Sequence, residues 1–374
     1  MKKVLCFAAA AMAIFASCQK TEVVYNNDGP QEIGIFAVNK VATKAPVSGT
    51  LYPEDYDMQV AAYVSAGATT SGDYFDGALF KKNDQGTWTG GKYWPLTSST
   101  LNFLAVTQPA TANDYTCKVT SVEFGNDSKD FTGKAVVNFD NNETTAEKFN
   151  QFDLMFAAGK ESNSITEGGV GTYTNVGLAF THALSWINFT VAKNNVTAKI
   201  TVNSIRLSGA SYGGTLTLTN AKYNNATTSA TSDVTPVWNP IDTKVDNVYV
   251  PGGSADEGRT FAGKNTSAAA AAPVVVGTTS AAFGNGLLVV PGDYVKDALS
   301  FTINYTIDQD GKDNTTSDVN TFEYTYKLPV TKWVYAKKYT YAITMKLNEI
   351  EVAPSVEAWS DGSAAGTVEI GKEQ

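Results

Sequence analysis

Beyond residue 30 the chain is a succession of short segments in which apolar and polar positions alternate with period two, the pattern of half-buried strands. The first are MQVAAYV (Met58–Val64), LNFLAV (Leu101–Val106), AVVNF (Ala135–Phe139), VGLAF (Val176–Phe180) and WINFTVA (Trp186–Ala192). KITVNSIRL (Lys199–Leu207), GTLTLT (Gly214–Thr219), NVYV (Asn247–Val250) and GLLVVP (Gly286–Pro291) follow. LSFTINYTI (Leu299–Ile307), TFEYTYKL (Thr321–Leu328) and KYTYAITMKL (Lys338–Leu347) complete the series. All are rich in Val, Ile, Thr, Tyr and Phe and are set apart by Gly, Asn, Asp and Ser, which supply turns. Helical signals are confined to HALSW (His182–Trp186) and TTAEKFNQFDLMFA (Thr144–Ala157), each expected to hold a turn or two. The expected class is all-β, an antiparallel sandwich. The Gly/Thr/Asn-rich passage Lys160–Asn175 separates two β-rich halves and predicts two domains, whereas Pro251–Val274 reads as a long surface loop.

Two segments at the ends of the chain stand out. In EIGIFAVNKVATKAPVSG (Glu32–Gly49), Ile33, Ile35 and Ala37 share one face and Gly34, Phe36 and Val38 the other. This strand runs directly into small residues, Lys40, Lys44 and Pro46, a stretch that looks easy to cut. In SAAGTVEIGKEQ (Ser363–Gln374), Val368 and Ile370 share a face with Ala364 and Gly366, and Thr367 and Glu369 point the other way. Such a strand either closes the edge of its own sheet or is offered to another chain.

Composition narrows the function classes. Of 374 residues, 43% are hydrophobic and 17% charged, so a core of ordinary size can form. The formal net charge of -9 argues against nucleic acid as a partner, since phosphate binding needs a basic face; Lys81-Lys82 and Lys337-Lys338 are ordinary surface pairs. Met1-Lys2-Lys3 followed by the apolar run Val4–Ala16 reads as a secretory signal, too short to span a bilayer as a mature helix. The run ends in Phe15-Ala16-Ser17-Cys18, and small residues before a cysteine resemble a bacterial lipobox, in which the cysteine is acylated after cleavage. The other reading is a plain signal that happens to end near a cysteine. With Cys6 removed and Cys18 acylated, Cys117 alone remains, so no disulfide and no zinc site follows; it reads as a small buried strand residue.

Enzyme chemistry finds little to use. His182 is the one histidine, no Gly-x-Ser-x-Gly elbow accompanies a serine, and neither a Walker A sequence nor a Gly-x-Gly-x-x-Gly turn is present. His182 is expected to be structural. The acidic clusters NDSKD and DQDGKDN read as solvated turns, with calcium the alternative, although DQDGKDN lacks the closing Glu of an EF-hand. No cofactor is implied. Trp88, Trp94, Trp238 and Trp333 are the candidates if the chain is instead a glycan-binding sandwich, since aromatic faces stack on sugar rings.

Four stretches in order resemble the fimbrillin family, the type V pilins: the lipobox, a strand and ATKAPVSGTLYPEDYDMQVAAYV; KYWPLTSSTLNFLAVTQP (Lys92–Pro109); VGLAFTHALSWINFTV (Val176–Val191); and KKYTYAITMKLNEIEVAPSVEAW (Lys337–Trp359). The resemblance implies two transthyretin-like β-sandwich domains. It divides the chain into a signal peptide (1–17), a lipidated segment with a removable strand (18–44), sandwiches at 45–175 and 176–360, and a donor tail (361–374). It also implies export to the outer membrane and lipidation at Cys18. A surface trypsin-like protease then cuts between Lys44 and Ala45, with Lys40 the second choice. The strand carrying Ile33, Ile35, Phe36 and Val38 would leave, and Thr367, Val368, Glu369 and Ile370 of another pilin subunit would replace it. The family typically has arginine at the cut, whereas the arginines here are Arg206 and Arg259. Shaft and lipid-anchored accessory roles both remain open.

Overall fold

The structure, a computed structural model, describes residues 23–25, 30–43, 49–51, 56–66, 72–109, 118–126, 133–140, 151–166, 171–194, 197–220, 234–241, 245–251, 271–309, 319–346 and 350–358. The described residues form strands and turns and no α-helix. The period-two segments are strands as expected, and all-β is the observed class. HALSW is not helical. His182 ends the Val176–His182 strand, Ser185 starts the Ser185–Lys193 strand, and buried Ala183 and Leu184 make the corner between them. The described part of the second helical candidate, from Gln151 on, is irregular up to the Met155–Ile165 strand.

The largest sheet closes on itself. From Met155–Ile165 the neighbours run through Val176–His182, Ile35–Thr43, Trp88–Thr89, Gly72–Lys82 and Tyr56–Ala66 to Ser99–Pro109, which pairs back with Met155–Ile165. The ring is thinnest beside Trp88–Thr89, which among the described residues meets Ile35–Thr43 at Ile35 and Gly72–Lys82 at Lys81 and Lys82. Its interior holds large apolar side chains, among them Tyr56, Phe80, Phe103, Phe152 and Phe180. A four-stranded sheet packs on the same core, contributing Val137, Phe139, Leu216 and Leu218.

A second core lies between two sheets of the C-terminal half. One contains Ser185–Lys193, Lys337–Met345 and Ile350–Ala358; the other contains Val248–Tyr249, Lys199–Ser208, Ser300–Asp308 and Val319–Lys327. Phe301 bridges them, with ring centroids 4.8 Å from Phe189 and 4.6 Å from Tyr341, both edge-on.

Chain order and packing do not coincide. The expected boundary at 175/176 falls between strands of the closed sheet, because Val176–His182 pairs with Ile35–Thr43. The cores divide within one strand: Trp186 packs in the first and Ile187 in the second. The Gly213–Asn220 and Val234–Pro240 hairpin pairs with Gly133–Asp140 and so belongs to the first core. Nor is pairing uniformly antiparallel. Ile35–Thr43 runs parallel to Val176–His182, and Ser185–Lys193 runs parallel to Lys337–Met345.

Candidate functional site

Near the N-terminus, Ile35–Thr43 is one stave of the closed sheet. On one side its residues Ile35 to Asn39 pair in parallel with Val176 to Phe180. On the other side, Ile35 pairs with Trp88 and Glu32 bridges Tyr93. The Ile33 N–H donates to the Lys92 carbonyl at 2.7 Å, and the Trp94 N–H donates to the Gln31 carbonyl at 2.8 Å. Between these flanks, Ile33 and Ile35 are fully buried and Ala37 is 6% exposed. Alternation therefore sets these three facing inward, as the sequence predicts.

Phe36 does not share their burial. It is 39% exposed and lies beside Gly177 in the parallel pair, on the outer face of the sheet. Its contribution to any vacated groove is correspondingly small. Val38 pairs through its backbone with Ala179 and Leu51. At Gly34 the chain passes close to its neighbours: a Cβ there would meet Asn175 Oδ1 and Thr87 Cγ2. A larger residue would require the Asn175 and Thr87 side chains to move aside. The Glu32 carboxylate accepts from the Gly91 N–H at 2.8 Å and ties the start of the strand to the turn beside it.

Cys18, Lys44, Ala45 and the tail residues Thr367, Val368, Glu369 and Ile370 lie outside the described residues, as do Cys117 and most of the acidic clusters NDSKD and DQDGKDN. Lys40 sits within the Ile35–Thr43 strand. Among the described residues, no three His, Cys, Asp or Glu side chains are grouped to hold a metal ion.

His182 is tied down at the end of its strand in the closed sheet. Its Nδ1 is 2.8 Å from Asp153 Oδ2, and both side chains are buried. The neighbouring backbone is held as well, with the Asp153 N–H donating to Tyr56 Oη and the Met155 N–H to Thr107 Oγ1. A pair with no surface cannot meet a substrate, so it acts as a strut between the Gln151–Met155 crossing segment and the strand corner. The same segment reaches the other half of the chain, where Gln151 takes the Leu288 N–H on its side-chain oxygen. The tryptophans are structural too. Trp88, Trp94 and Trp333 are buried, and Trp238 donates from Nε1 to the Ala183 carbonyl at 2.7 Å while packing edge-on against Phe139. The burial of Trp88, Trp94 and Trp333 withdraws their faces from a sugar.

A family model described as fimbrillin-like matches residues 25–359. The chain belongs to that family. Among solved structures, it is similar to a fimbrial protein from Bacteroides vulgatus, with a TM-score of 0.50 and 17% identity, covering 88% of this chain and 100% of that one. A fimbrial assembly protein from Parabacteroides distasonis is similar at a TM-score of 0.36 and 10% identity, covering 90% and 99%. The fimbrial anchor protein Mfa2 from Porphyromonas gingivalis is similar at 0.34 and 11%, covering 88% and 98%. No curated protein matches the chain. In this fimbrillin-like chain, the position of the leading strand within a closed sheet is the feature to be explained.

Proposed function

We propose that this fimbrillin-like chain is a non-catalytic structural subunit of a cell-surface fimbria. It is exported as a lipoprotein acylated at Cys18 and held in the outer membrane until it is processed. A trypsin-like protease at the surface cuts between Lys44 and Ala45, and the leading strand, with Ile33 and Ile35, departs. The tail of another subunit then enters the gap. Val368 and Ile370 take the places of the departing isoleucines, while Thr367 and Glu369 face outward. Assembly in this form is β-augmentation: main-chain hydrogen bonds supply much of the affinity, and alternate side chains filling pockets supply the specificity.

The observation that carries the reading is that one short strand closes the sheet. Losing the Ile35–Thr43 strand would free the edge of Val176–His182, which pairs with it from Val176 to Phe180, and empty the pockets of Ile33 and Ile35 together. An edge with unpaired N–H and C=O groups is a template for another strand. The intact precursor has that template filled, which keeps it from polymerising early.

The test is assembly of a chain truncated before Gly366. Wild-type surface material should run as a ladder on a denaturing gel without heating, and the truncated chain as a folded monomer. Undiminished ladders from the truncated chain would rule out this tail as the donor.

A further inference from the structure

On the outer face of the C-terminal sandwich, away from the leading strand, a polar cavity of about 410 Å³ is lined by Asn203, Ser204, Arg206, Tyr249, Asn304 and Glu323, with Ala271 to Pro273 at its rim. That volume falls within the roughly 300–1,000 Å³ typical of small-molecule sites. We propose that this cavity is a binding site for a neutral saccharide residue.

The site is built by a break in strand alternation. In TVNSIRL, buried Val202 and Ile205 stand three apart rather than two, and the pairing with Ser300–Asp308 shifts register between Val202 and Ser204. Such a bulge re-aims side chains and recurs next to functional sites. Here it leaves Asn203 and Ser204 adjacent between two core residues, with Arg206 the next position after Ile205. The register extends the row across the sheet: Tyr249 pairs with Arg206, Asn304 with Ser204, and Glu323 with Asn304. A continuous polar band therefore crosses four strands.

The chemistry suits hydroxyl groups. Arg206 lies over the Tyr249 ring, 5.7 Å from its centroid, and pairs with Glu323, so the guanidinium is held in place. Its Nε is buried and has no acceptor among the described residues. Asn203 Nδ2 donates to Asn304 Oδ1 at 3.0 Å, and the remaining amide atoms of both side chains can donate and accept. Vicinal sugar hydroxyls also donate and accept, and match such a set. Glu323 offsets the charge of Arg206, and the chain carries a net charge of -9, so an anion gains little here. The Ala271–Pro273 rim offers apolar contact for the C–H face of a pyranose.

The experiment uses the full chain purified in detergent and a panel of methyl glycosides of glucose, galactose, mannose, fucose and N-acetylglucosamine, with methyl glucuronoside as the acidic probe. Saturation-transfer NMR and calorimetry should find at least one neutral glycoside bound. The double variant Asn203→Ala/Asn304→Ala should raise its Kd about tenfold, since two hydrogen bonds are lost. Should the double variant fail to fold, the single variants Asn203→Ala and Asn304→Ala, each expected to raise the Kd about threefold, carry the same test. Binding to the glucuronoside alone, binding to no probe, or a Kd unchanged by these substitutions would overturn the proposal.

Discussion

Replacing Ile35 by alanine, and separately Phe36 by alanine, tests whether the leading strand is held through its inner face. Ile35 is fully buried, next to Trp88 in the register and within the core that contains Leu178 and Phe180. Truncating a buried isoleucine costs about 2–5 kcal/mol, from lost transfer energy plus the cavity left behind. Phe36 is the larger side chain, yet it is 39% exposed beside Gly177, so its truncation should cost under about 1 kcal/mol. The order of costs is therefore the reverse of the order of side-chain size. In urea, with a slope of about 3 kcal/mol/M, the midpoint should fall by about 1 M for Ile35→Ala and by no more than about 0.3 M for Phe36→Ala. The transition is followed by fluorescence of the buried Trp88 and Trp94 in the unprocessed full chain. Equal shifts, or a larger one for Phe36→Ala, would refute the assignment of inner and outer faces. No shift for Ile35→Ala would mean that the strand is not seated at all.

Two further outcomes follow from buried polar groups. Asp153→Ala removes the acceptor that faces His182 inside the protein and should cost about 1–3 kcal/mol by chemical denaturation, as leaving a buried hydrogen-bonding group without its partner does; a loss below about 0.5 kcal/mol would show that the strut is not structural. Burial pushes the phenol of Tyr294 up to about 12 and those of Tyr63, Tyr212 and Tyr341 above their ordinary value. A group whose folded pKa is raised keeps its full contribution below its unfolded pKa, near 10, and loses it as pH rises toward the folded value. Stability should be flat up to about pH 9.5 and then fall by about 1.4 kcal/mol per pH unit for each such tyrosine; a urea midpoint unchanged at pH 11.5 would contradict this.

Alternation was enough to find most strands, because each buries one face locally and the pattern survives whatever the strand pairs with. Partnership was not legible. The parallel pairs of Ile35–Thr43 with Val176–His182 and of Ser185–Lys193 with Lys337–Met345 join residues far apart in sequence. For the same reason Gly213–Asn220 gives no sign that it will pair with Gly133–Asp140 and pack in the first core rather than the second. Lys160–Asn175 read as a separator because its polar composition hides the second half of the Met155–Ile165 strand, which pairs with Ser99–Pro109 and needs few apolar side chains there. At the leading strand, the inward face of Ile33, Ile35 and Ala37 was readable, whereas the exposure of Phe36 follows from Gly177 beside it. The polar cavity did leave a trace in the sequence, the three-residue spacing of Val202 and Ile205, which period-two reading passes over.

The central claim is that the leading strand is released so that another subunit can take its place. The most direct measurement is the N-terminal residue of fimbrial material sheared from the cell surface, read by sequencing and mass spectrometry. The account predicts Ala45 as the first residue of the assembled subunit. Finding only acylated Cys18, with Ile33 and Ile35 still attached, would contradict it and leave the chain as a lipid-anchored accessory subunit.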